Sequence, residues 1–525
     1  MRKALRYGVP ILCLLLIGGA LYVYWFIQTL DPRARQRVIS ALEDRFDADV
    51  DLKSLKISLF PRPGVVGEGL AIRHKNWTDP RPLISIRKFY AATDFWTLLN
   101  RSNHVDIIRL DGLSIYIPPR GMSLGQESER PGQDTTHLQF LIKTIVADGA
   151  RLEIAPKQQD PNQQGKNPLQ FDIKNLTLHS VGPGKAMKFV AKLTNAKPPG
   201  LIDSTGSFGP WQRDDPRSTA VSGDYTFENA NLGVFAGIGG ILSSTGNYTG
   251  VLQHIEVNGA TDVPKFSLKR GGDAVHLVTQ FHSIVDGTDG DTLLQPVNAT
   301  FLNSEFICRG GVVHQPGPNG KTVSLDATSK HARIEDILTL VVGGDKPFLT
   351  GDVIFGSKIV IPPGSQDVID KLQLDGHFAL LSAQFASRKV QERLLILSNR
   401  ARGISASEQE SGQGPDMVAS DFRGRFKLES GTANFSQLSF KVPGALISLA
   451  GSYGLQSGKI DMHGTFRMQA TLSQTQSGVK QLLLMPFNKL FEKHGAGFEA
   501  PLDITGTKDK PIIGITVFHK TFTIH

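Results

Sequence analysis

The chain has 525 residues, of which 40% are hydrophobic and 20% charged, with a formal net charge of +8. This balance is typical of a folded protein of two or more domains and excludes a chain that is disordered throughout. The two cysteines exclude a disulfide framework, and no Lys/Arg run is dense enough for a nucleic-acid-binding arm.

Residues 7–27 predict a transmembrane helix that stays attached to the protein. They contain no Asp, Glu, Lys or Arg over about the twenty residues that a helix needs to cross a bilayer. The basic start MRKALR precedes them, aromatic residues cluster at their end, and no small-residue cleavage site follows. We therefore expect residues 1–30 to be a cytoplasmic tip and membrane anchor. The anchor residues are Leu12, Leu14, Leu15, Leu16, Ile17, Tyr22 and Trp25.

The segment after the anchor predicts a helix and then half-buried strands. Residues 31–46 have apolar positions at helical spacing, including Val38 and Leu42. Residues 49–60 alternate between apolar and polar, with a slip near Ser54 that suggests a β-bulge. We also expect a short helix over residues 93–100. Two polar segments, 118–136 and 156–168, predict mobile loops.

From residue 169 onward, short alternating runs end in turns of the Gly, Asn-Gly or Asp-Gly type. No strict period relates them, so we expect a long antiparallel meander that curls into a mainly β sheet or groove with a few short helices. Helices are predicted at 231–239, 334–342 and 388–402, and a further polar insert at 405–416. Glycine followed two residues later by an aromatic recurs, for example at Gly376 and Gly424, and indicates a bend or a close backbone approach at a strand start.

Residues 478–493 predict a last helix that is apolar on most faces and broken at Pro486. One interpretation is a helix packed on the last strands. The other is a cap over a groove mouth or a contact with a membrane interface. The residues that would serve as such a cap are Leu483, Leu484, Phe487, Leu490 and Phe491.

The motifs of known catalytic and metal sites are missing from the sequence. The run GPNGKT at 317–322 lacks the glycine spacing of a phosphate-binding loop and predicts a hairpin turn. The acidic run 286–291 lacks the remainder of a calcium loop and predicts a solvated turn. The 14 histidines make no paired metal-ligand spacing, and no nucleophile motif is present. We expect no catalytic, cofactor or metal residues, and Cys308 should be a small buried hydrophobe.

A long run of alternating strands must place its apolar face somewhere. If the sheet closes, that face becomes an ordinary core. If the sheet curls without closing, the face becomes an apolar trough larger than the exposed patches of a soluble monomer, and it would need a ligand with hydrocarbon chains.

The order of motifs resembles the AsmA-like family of bacterial envelope proteins. An N-terminal anchor and a short helix precede LKSLKISLFP at 52–61 and GEGLAI at 67–72. Similar stretches continue at 323–353, 372–385, 440–466 and 495–515. The resemblance implies an N-terminal β-rich region at 31–320 and a C-terminal β-groove region at 321–525. It also implies an inner-membrane protein with its N-terminus in the cytoplasm and its bulk in the periplasm.

Three functions remain open at this point. The resemblance implies a protein that binds or conducts phospholipid along an apolar β-groove to maintain the outer membrane. A non-catalytic scaffold or assembly factor that contacts outer-membrane or envelope assembly proteins is the main alternative, with the groove as an ordinary core. An enzyme acting on envelope polysaccharide is the third reading, and the sequence offers it no acid–base pair.

Overall fold

The computed structural model is mainly β, with 25 strands and a few short helices. It describes residues 32, 34–40, 42–43, 48–58, 62–74, 81–93, 104–117, 141–154, 169–182, 184–210, 212, 215–269, 271–315, 320–342, 347–402, 420–470, 497–508, 510–517 and 520–524. Within these ranges, no helix is both long and apolar enough to span a membrane. The predicted anchor, the helices at 93–100 and 478–493 and the polar inserts at 118–136, 156–168 and 405–416 lie outside the described residues, Thr93 excepted.

The chain forms two compact units. The first comprises Met1–Ala230, Thr245–Ile255 and Asp286–Asp289, and the second Asn231–Ser244, Glu256–Val285 and Gly290–His525. The boundary predicted between residues 320 and 321 stays a prediction.

The strands of the first unit are β1 Ala48–Ser58, β2 Gly64–His74, β3 Ile84–Ala92, β4 His104–Ile117, β5 Leu141–Ile154, β6 Leu169–Val181, β7 Met187–Ala196, β8 Pro199–Phe208 and β9 Ala220–Asn231. The next three are β10 Ile238–Gly239, β11 Ile241–Val251 and β12 His254–Leu268. The second unit continues with β13 Val275–Val285, β14 Thr292–Phe301, β15 Ser304–His314, β16 Lys321–His331, β17 Leu349–Ile361, β18 Gln373–Phe385, β19 Ser420–Glu429, β20 Thr432–Val442, β21 Ala445–Gly454, β22 Lys459–Met468, β23 Phe498–Thr507, β24 Lys510–Val517 and β25 Lys520–Ile524. Besides the helical residues 34–40, the α-helices are α1 Ile334–Val341, α2 Val368–Lys371 and α3 Arg388–Ala401.

Within each unit, consecutive strands pair with each other. β1 to β9 follow one another in order in the first unit, and β13 to β25 do so in the second. Among the described residues, no pairing joins β1 to β9 or β13 to β25, so neither sheet closes on itself. The predicted mainly β sheet with few helices is confirmed.

The predicted antiparallel order is wrong at one place, because β4 and β5 pair in parallel. A parallel pair needs a crossover of a dozen or more residues, whereas an antiparallel pair needs only a tight turn. Residues 118–140 connect β4 to β5 and are long enough for this crossover. The other pairs of consecutive strands within β1–β9 and β13–β25 are antiparallel.

The core of the first unit is one face of β1 to β6, covered by a helix. Leu52, Leu70 and Ile86 are buried in neighbouring strands and meet in register. Residues 34–40 are helical, and Val38 and neighbouring apolar side chains pack on this face. Arg35 Nε donates a hydrogen bond to the Leu52 carbonyl at 2.7 Å. The helix predicted after the anchor is therefore confirmed where the structure describes it.

In this sheet the alternation of buried and exposed residues shifts by one residue. The shift occurs at paired positions that form a row across several strands. Leu52 and Leu55 are both buried in β1 although they lie three residues apart, and Ala147 and Ala150 repeat this in β5. The sequence predicts a bulge here, but the pairing of β1 with β2 keeps its register on both sides of the slip. The slip instead coincides with glycines in the left-handed region, where φ is +67° at Gly69, +65° at Gly112 and +66° at Gly149.

The helix predicted at 231–239 is wrong. Only a 3₁₀ turn, Leu232–Val234, forms there, with the Asn231 side chain accepting the Gly233 N–H at 2.8 Å, and strand β10 follows. Gly237 and Gly240 adopt φ of +97° and +127°, which a helix does not permit. The helices predicted at 334–342 and 388–402 are confirmed as α1 and α3.

The recurring glycines before aromatics lie inside strands rather than at their starts. A Cβ added at Gly424 would lie 2.6 Å from the Phe378 ring, and one at Gly464 would lie 1.9 Å from the Ser448 carbonyl oxygen. The close approach that the pattern predicts is therefore confirmed, but its predicted position at strand starts is wrong.

Gly149 offers a test of the slip because a Cβ there would meet nothing within 4 Å. Gly149→Ala should lower the free energy of unfolding by about 1–2 kcal/mol, since only the left-handed backbone penalises the methyl group. Gly149→Asn should cost less, because Asn tolerates this conformation better. Chemical denaturation of both variants measures the difference.

Gly112→Ala is the matched comparison. Its Cβ would also lie 3.0 Å from Arg87 Cβ, so we expect a larger loss than at Gly149. Equal stability of the wild type and Gly149→Ala would contradict a conformational origin of the slip.

Candidate functional site

The second unit presents one apolar sheet face that is only partly covered. Strands β14 to β24 alternate, with apolar side chains on this face and polar or charged ones on the other. In β19, for example, Phe422, Phe426 and Leu428 face one side, while Arg423 and Arg425 face the opposite side.

Phenylalanine rings dominate this face and touch one another across the strands. Nine of them form one connected set, with neighbouring ring centroids 5.2–6.5 Å apart. This is the separation at which aromatic pairs attract each other. We call the set the phenylalanine run: Phe301, Phe306, Phe355, Phe378, Phe385, Phe422, Phe426, Phe435 and Phe440.

The phenylalanine run extends from β14 to β20. Six steps between neighbouring strands, at about 4.8 Å each, give a length of about 29 Å. This is about twice the depth of one leaflet of a bilayer's hydrocarbon core, which is about 30 Å thick in total. The run is therefore long enough to lie along the full length of an acyl chain.

All nine rings are half-buried, and so are aliphatic side chains beside them such as Ile359 and Leu374. In a closed barrel with a filled interior, rings on the inner face would be buried. The sheet of the second unit is not closed, so its apolar face keeps contact with solvent. A partly exposed apolar surface of this length is uncommon on a soluble monomer.

Helix α1 covers one end of this face and is held by buried polar contacts. Ile334, Ile337 and Leu338 pack on Leu349, Leu380 and their neighbours. Asp336 is only 3% exposed, and its carboxylate accepts the Asn303 N–H at 2.9 Å and the Ser304 hydroxyl at 2.7 Å. These hydrogen bonds offset the cost of burying the carboxylate.

Helix α3 covers the neighbouring part of the same end. Its leucines pack against a buried cluster that includes Met468 and Phe498. The Ser398 hydroxyl donates to the Pro443 carbonyl at 2.8 Å, and the Gln391 amide donates to the Phe385 carbonyl at 3.2 Å. Both helices are thus fixed to the ends of strands, while the phenylalanine run continues beyond them.

Two serines beside the phenylalanine run, Ser329 and Ser357, have their hydroxyl groups occupied by the backbone. Ser329 Oγ accepts the Phe355 N–H at 2.8 Å and donates to the Val353 carbonyl at 3.4 Å. Ser357 Oγ donates to the Lys358 carbonyl at 3.1 Å. These hydroxyl groups therefore add little polarity to a surface otherwise suited to hydrocarbon.

Cys308 lies on the apolar face, opposite Val297 and Ala327 in register. It is a free thiol and is half-buried, not fully buried as predicted. Burial raises the pKa of the Cys308 thiol, so the group is neutral at pH 7 and behaves as a small apolar side chain.

The predicted site residues lie outside the described part of the chain. This holds for the anchor residues Leu12, Leu14, Leu15, Leu16, Ile17, Tyr22 and Trp25. It also holds for the cap residues Leu483, Leu484, Phe487, Leu490 and Phe491. Among the described residues, no group of His, Cys, Asp or Glu is arranged to hold a metal ion.

The sequence analysis did not single out the phenylalanine run. Its glycine–aromatic pattern includes Phe378 and Phe426 but misses the other seven rings. A usable signal is composition, because the chain has 29 Phe against 8 Tyr and 4 Trp. Phenylalanine carries no polar group, so its ring suits a face that contacts protein side chains on one side and hydrocarbon on the other.

Comparisons with known proteins add no family assignment. No protein-family model, no curated protein and no solved structure matches this chain.

Proposed function

We propose that this protein is anchored in the bacterial inner membrane by residues 7–27 and binds phospholipid in the periplasm. The acyl chains lie along the apolar face of the second unit, over the phenylalanine run, and the protein thereby serves maintenance of the outer membrane. The resemblance to AsmA-like proteins supports the same function. No catalytic step is part of this proposal.

The observation that carries the proposal is the partly exposed phenylalanine run on an unclosed sheet. Covering apolar surface with hydrocarbon contributes about 25 cal/mol per Å² removed from water. An acyl chain laid across the rings gains this contribution along its length, whereas its polar head group gains nothing there and stays in water. Binding on such a face selects for hydrocarbon length and is tolerant of head-group chemistry.

The backbone explains why the face can stay apolar without a permanent cover. Interior strands satisfy their N–H and C=O groups with two neighbouring strands, so only side chains meet the ligand. Ser329 and Ser357 have their hydroxyl groups engaged with the backbone. A sliding acyl chain therefore meets few fixed polar groups.

Cys308 allows a direct test, because Cys13→Ser leaves it as the single thiol of the chain. A small environment-sensitive fluorophore attached there should be quenched when the full-length protein meets vesicles of phospholipid carrying a nitroxide on the acyl chain. The reason is that the label would lie on the same face as the bound chains. Fluorescence intensity against lipid concentration measures the effect.

The matched control carries the label on the opposite face of the neighbouring strand. Thr328→Cys, in a background with Cys13→Ser and Cys308→Ser, places the thiol at an exposed position that pairs with Ile307. We expect little quenching there. Equal quenching at the two positions, or none at either, would contradict the proposal and favour a scaffold whose apolar face is a core.

Substitutions at two adjacent residues of β17 test the two faces of the sheet independently. Phe355 belongs to the phenylalanine run, while Ile354 is 53% exposed on the opposite side. Phe355→Ala should reduce the phospholipid that co-purifies in mild detergent. A loss of about 1 kcal/mol of contact corresponds to about fivefold in affinity.

Ile354→Ala is the control and should retain the wild-type amount of lipid. Mass spectrometry of extracted lipid per mole of protein gives the comparison, and thermal unfolding confirms that both variants are folded. Equal lipid content in the two folded variants would count against the apolar face as the binding surface.

A further inference from the structure

The polar face of the second unit carries a trough on the opposite side of the sheet from the phenylalanine run. It lies over β18 to β22 and has a volume of about 1060 Å³. An adjoining depression of about 520 Å³ shares Lys427, Ser436 and His463 with it. Small-molecule pockets usually measure roughly 300–1,000 Å³. The trough crosses the five strands from β18 to β22, which span about 19 Å at about 4.8 Å per step.

One row of this face, which ends in the trough, alternates in the sign of its charges from strand to strand. The row reads Arg309, Asp326, Lys358, Asp375 and Lys427, each opposite the next in register. Lys427 and Asp375 form an ion pair at 3.2 Å. Cross-strand neighbours of opposite charge stabilise a sheet, and every neighbouring pair in this row has opposite charges.

Two arginines in the middle of the trough break the rule. Arg425 lies in register between His377 and Gln437, and Arg423 lies between Ala379 and Ser439. Neither guanidinium makes a hydrogen bond or an ion pair within the described part of the chain. The carboxylate next along the strand, Asp421, accepts the Ser382 N–H at 3.3 Å.

His463 at the rim of the trough adds no free positive charge, because its ring is engaged by carboxylates. Its ring is bonded to Asp503 at 2.7 Å and to Asp461 at 3.0 Å. These two carboxylates raise the pKa of His463, and with the ring protonated the three groups together carry a net charge of −1. The uncompensated positive charge of the trough is therefore that of Arg423 and Arg425, which lie about 6.7 Å apart along the strand.

The surroundings of the two arginines indicate which anion fits. The floor carries hydroxyl and amide groups from Ser436, Gln437, Ser439 and Ser448, which suit the hydroxyl groups of sugars. Phe378 and Phe426 also border the trough, but they occupy positions of β18 and β19 whose side chains alternate to the opposite face. The outward positions of β18 to β22 hold no Phe, Tyr or Trp, so nucleobases would find no stacking platform. These strands each have two neighbours, so a peptide cannot add to them as a further strand.

We propose that this trough binds an anionic oligosaccharide. Acidic groups on successive sugars would bind Arg423 and Arg425, and the serine and glutamine side chains would contact the sugar hydroxyl groups. The site is separate from the apolar face, so it neither needs nor excludes lipid binding there.

The test measures binding of hexagalacturonate, which carries one carboxylate per sugar, to the full-length protein in non-ionic detergent by isothermal titration calorimetry. The wild type should bind it, and added salt should weaken binding. The double variant Arg423→Gln and Arg425→Gln should bind about tenfold more weakly or worse, because it loses two charge-assisted contacts. An unchanged thermal unfolding midpoint shows that the variant is folded.

The matched control removes two positive charges from the same face outside the trough, with Lys330→Gln and Lys358→Gln. It should bind within about twofold of the wild type, since long-range charge is screened at physiological salt. Neutral maltohexaose should not bind, and inorganic phosphate should not displace the hexamer at equal concentration. The proposal is overturned by equal loss in both double variants, by equal binding of maltohexaose, or by displacement with phosphate at the hexamer's own affinity.

Discussion

The two-residue alternation of side chains in a strand is the constraint on which this protein depends. Because every second side chain points to the same face, a sheet of consecutive strands sorts its residues into an apolar and a polar surface. In the first unit the apolar surface of β1 to β6 is covered by helical residues such as Val38, and there it becomes an ordinary core. In the second unit α1 and α3 cover only one end, and the remaining rings stay half-buried. The same local rule thus produces a core in one unit and a candidate binding surface in the other.

The sequence predicts features that depend on near neighbours better than those that depend on distant ones. Helices α1 and α3 are predictable because their apolar residues recur at helical spacing. The parallel pairing of β4 with β5 is not, because nothing local in either strand specifies the direction in which the chain returns after residues 118–140. The left-handed glycines Gly69, Gly112 and Gly149 lie far apart in the chain and form a row only after their strands have paired. The sequence therefore shows only one local sign of this row, the slip in alternation near Ser54. The candidate site follows the same division. Single Gly-x-Phe patterns are visible, but nine rings become one surface only when six strand pairings bring them together.

Both faces of the second unit help to fix the strand register, but through different kinds of side chain. On the apolar face, glycines receive neighbouring rings, as Gly424 does beside Phe378. On the polar face, the row from Arg309 to Lys427 alternates in sign, and a one-residue slip would turn each charged side chain to the apolar side. Arg423 and Arg425 stand outside this scheme because their cross-strand neighbours carry no carboxylate. Residues that do not serve the register are the ones available for a ligand.

The pairing of each strand with the next one in the chain has a consequence for how the protein folds. Most contacts join strands that are consecutive in the chain, so each step closes a short loop and loses little loop-closure entropy. During synthesis the N-terminal strands emerge first. Each new strand can then pair with the edge strand of the sheet already formed, as in repeat proteins. The slow steps are then the non-local ones. These are the crossover from β4 to β5, the return from β18 through α3 to β19 and the connection from β22 to β23, at each of which a strand edge stays unpaired until a long segment has been made.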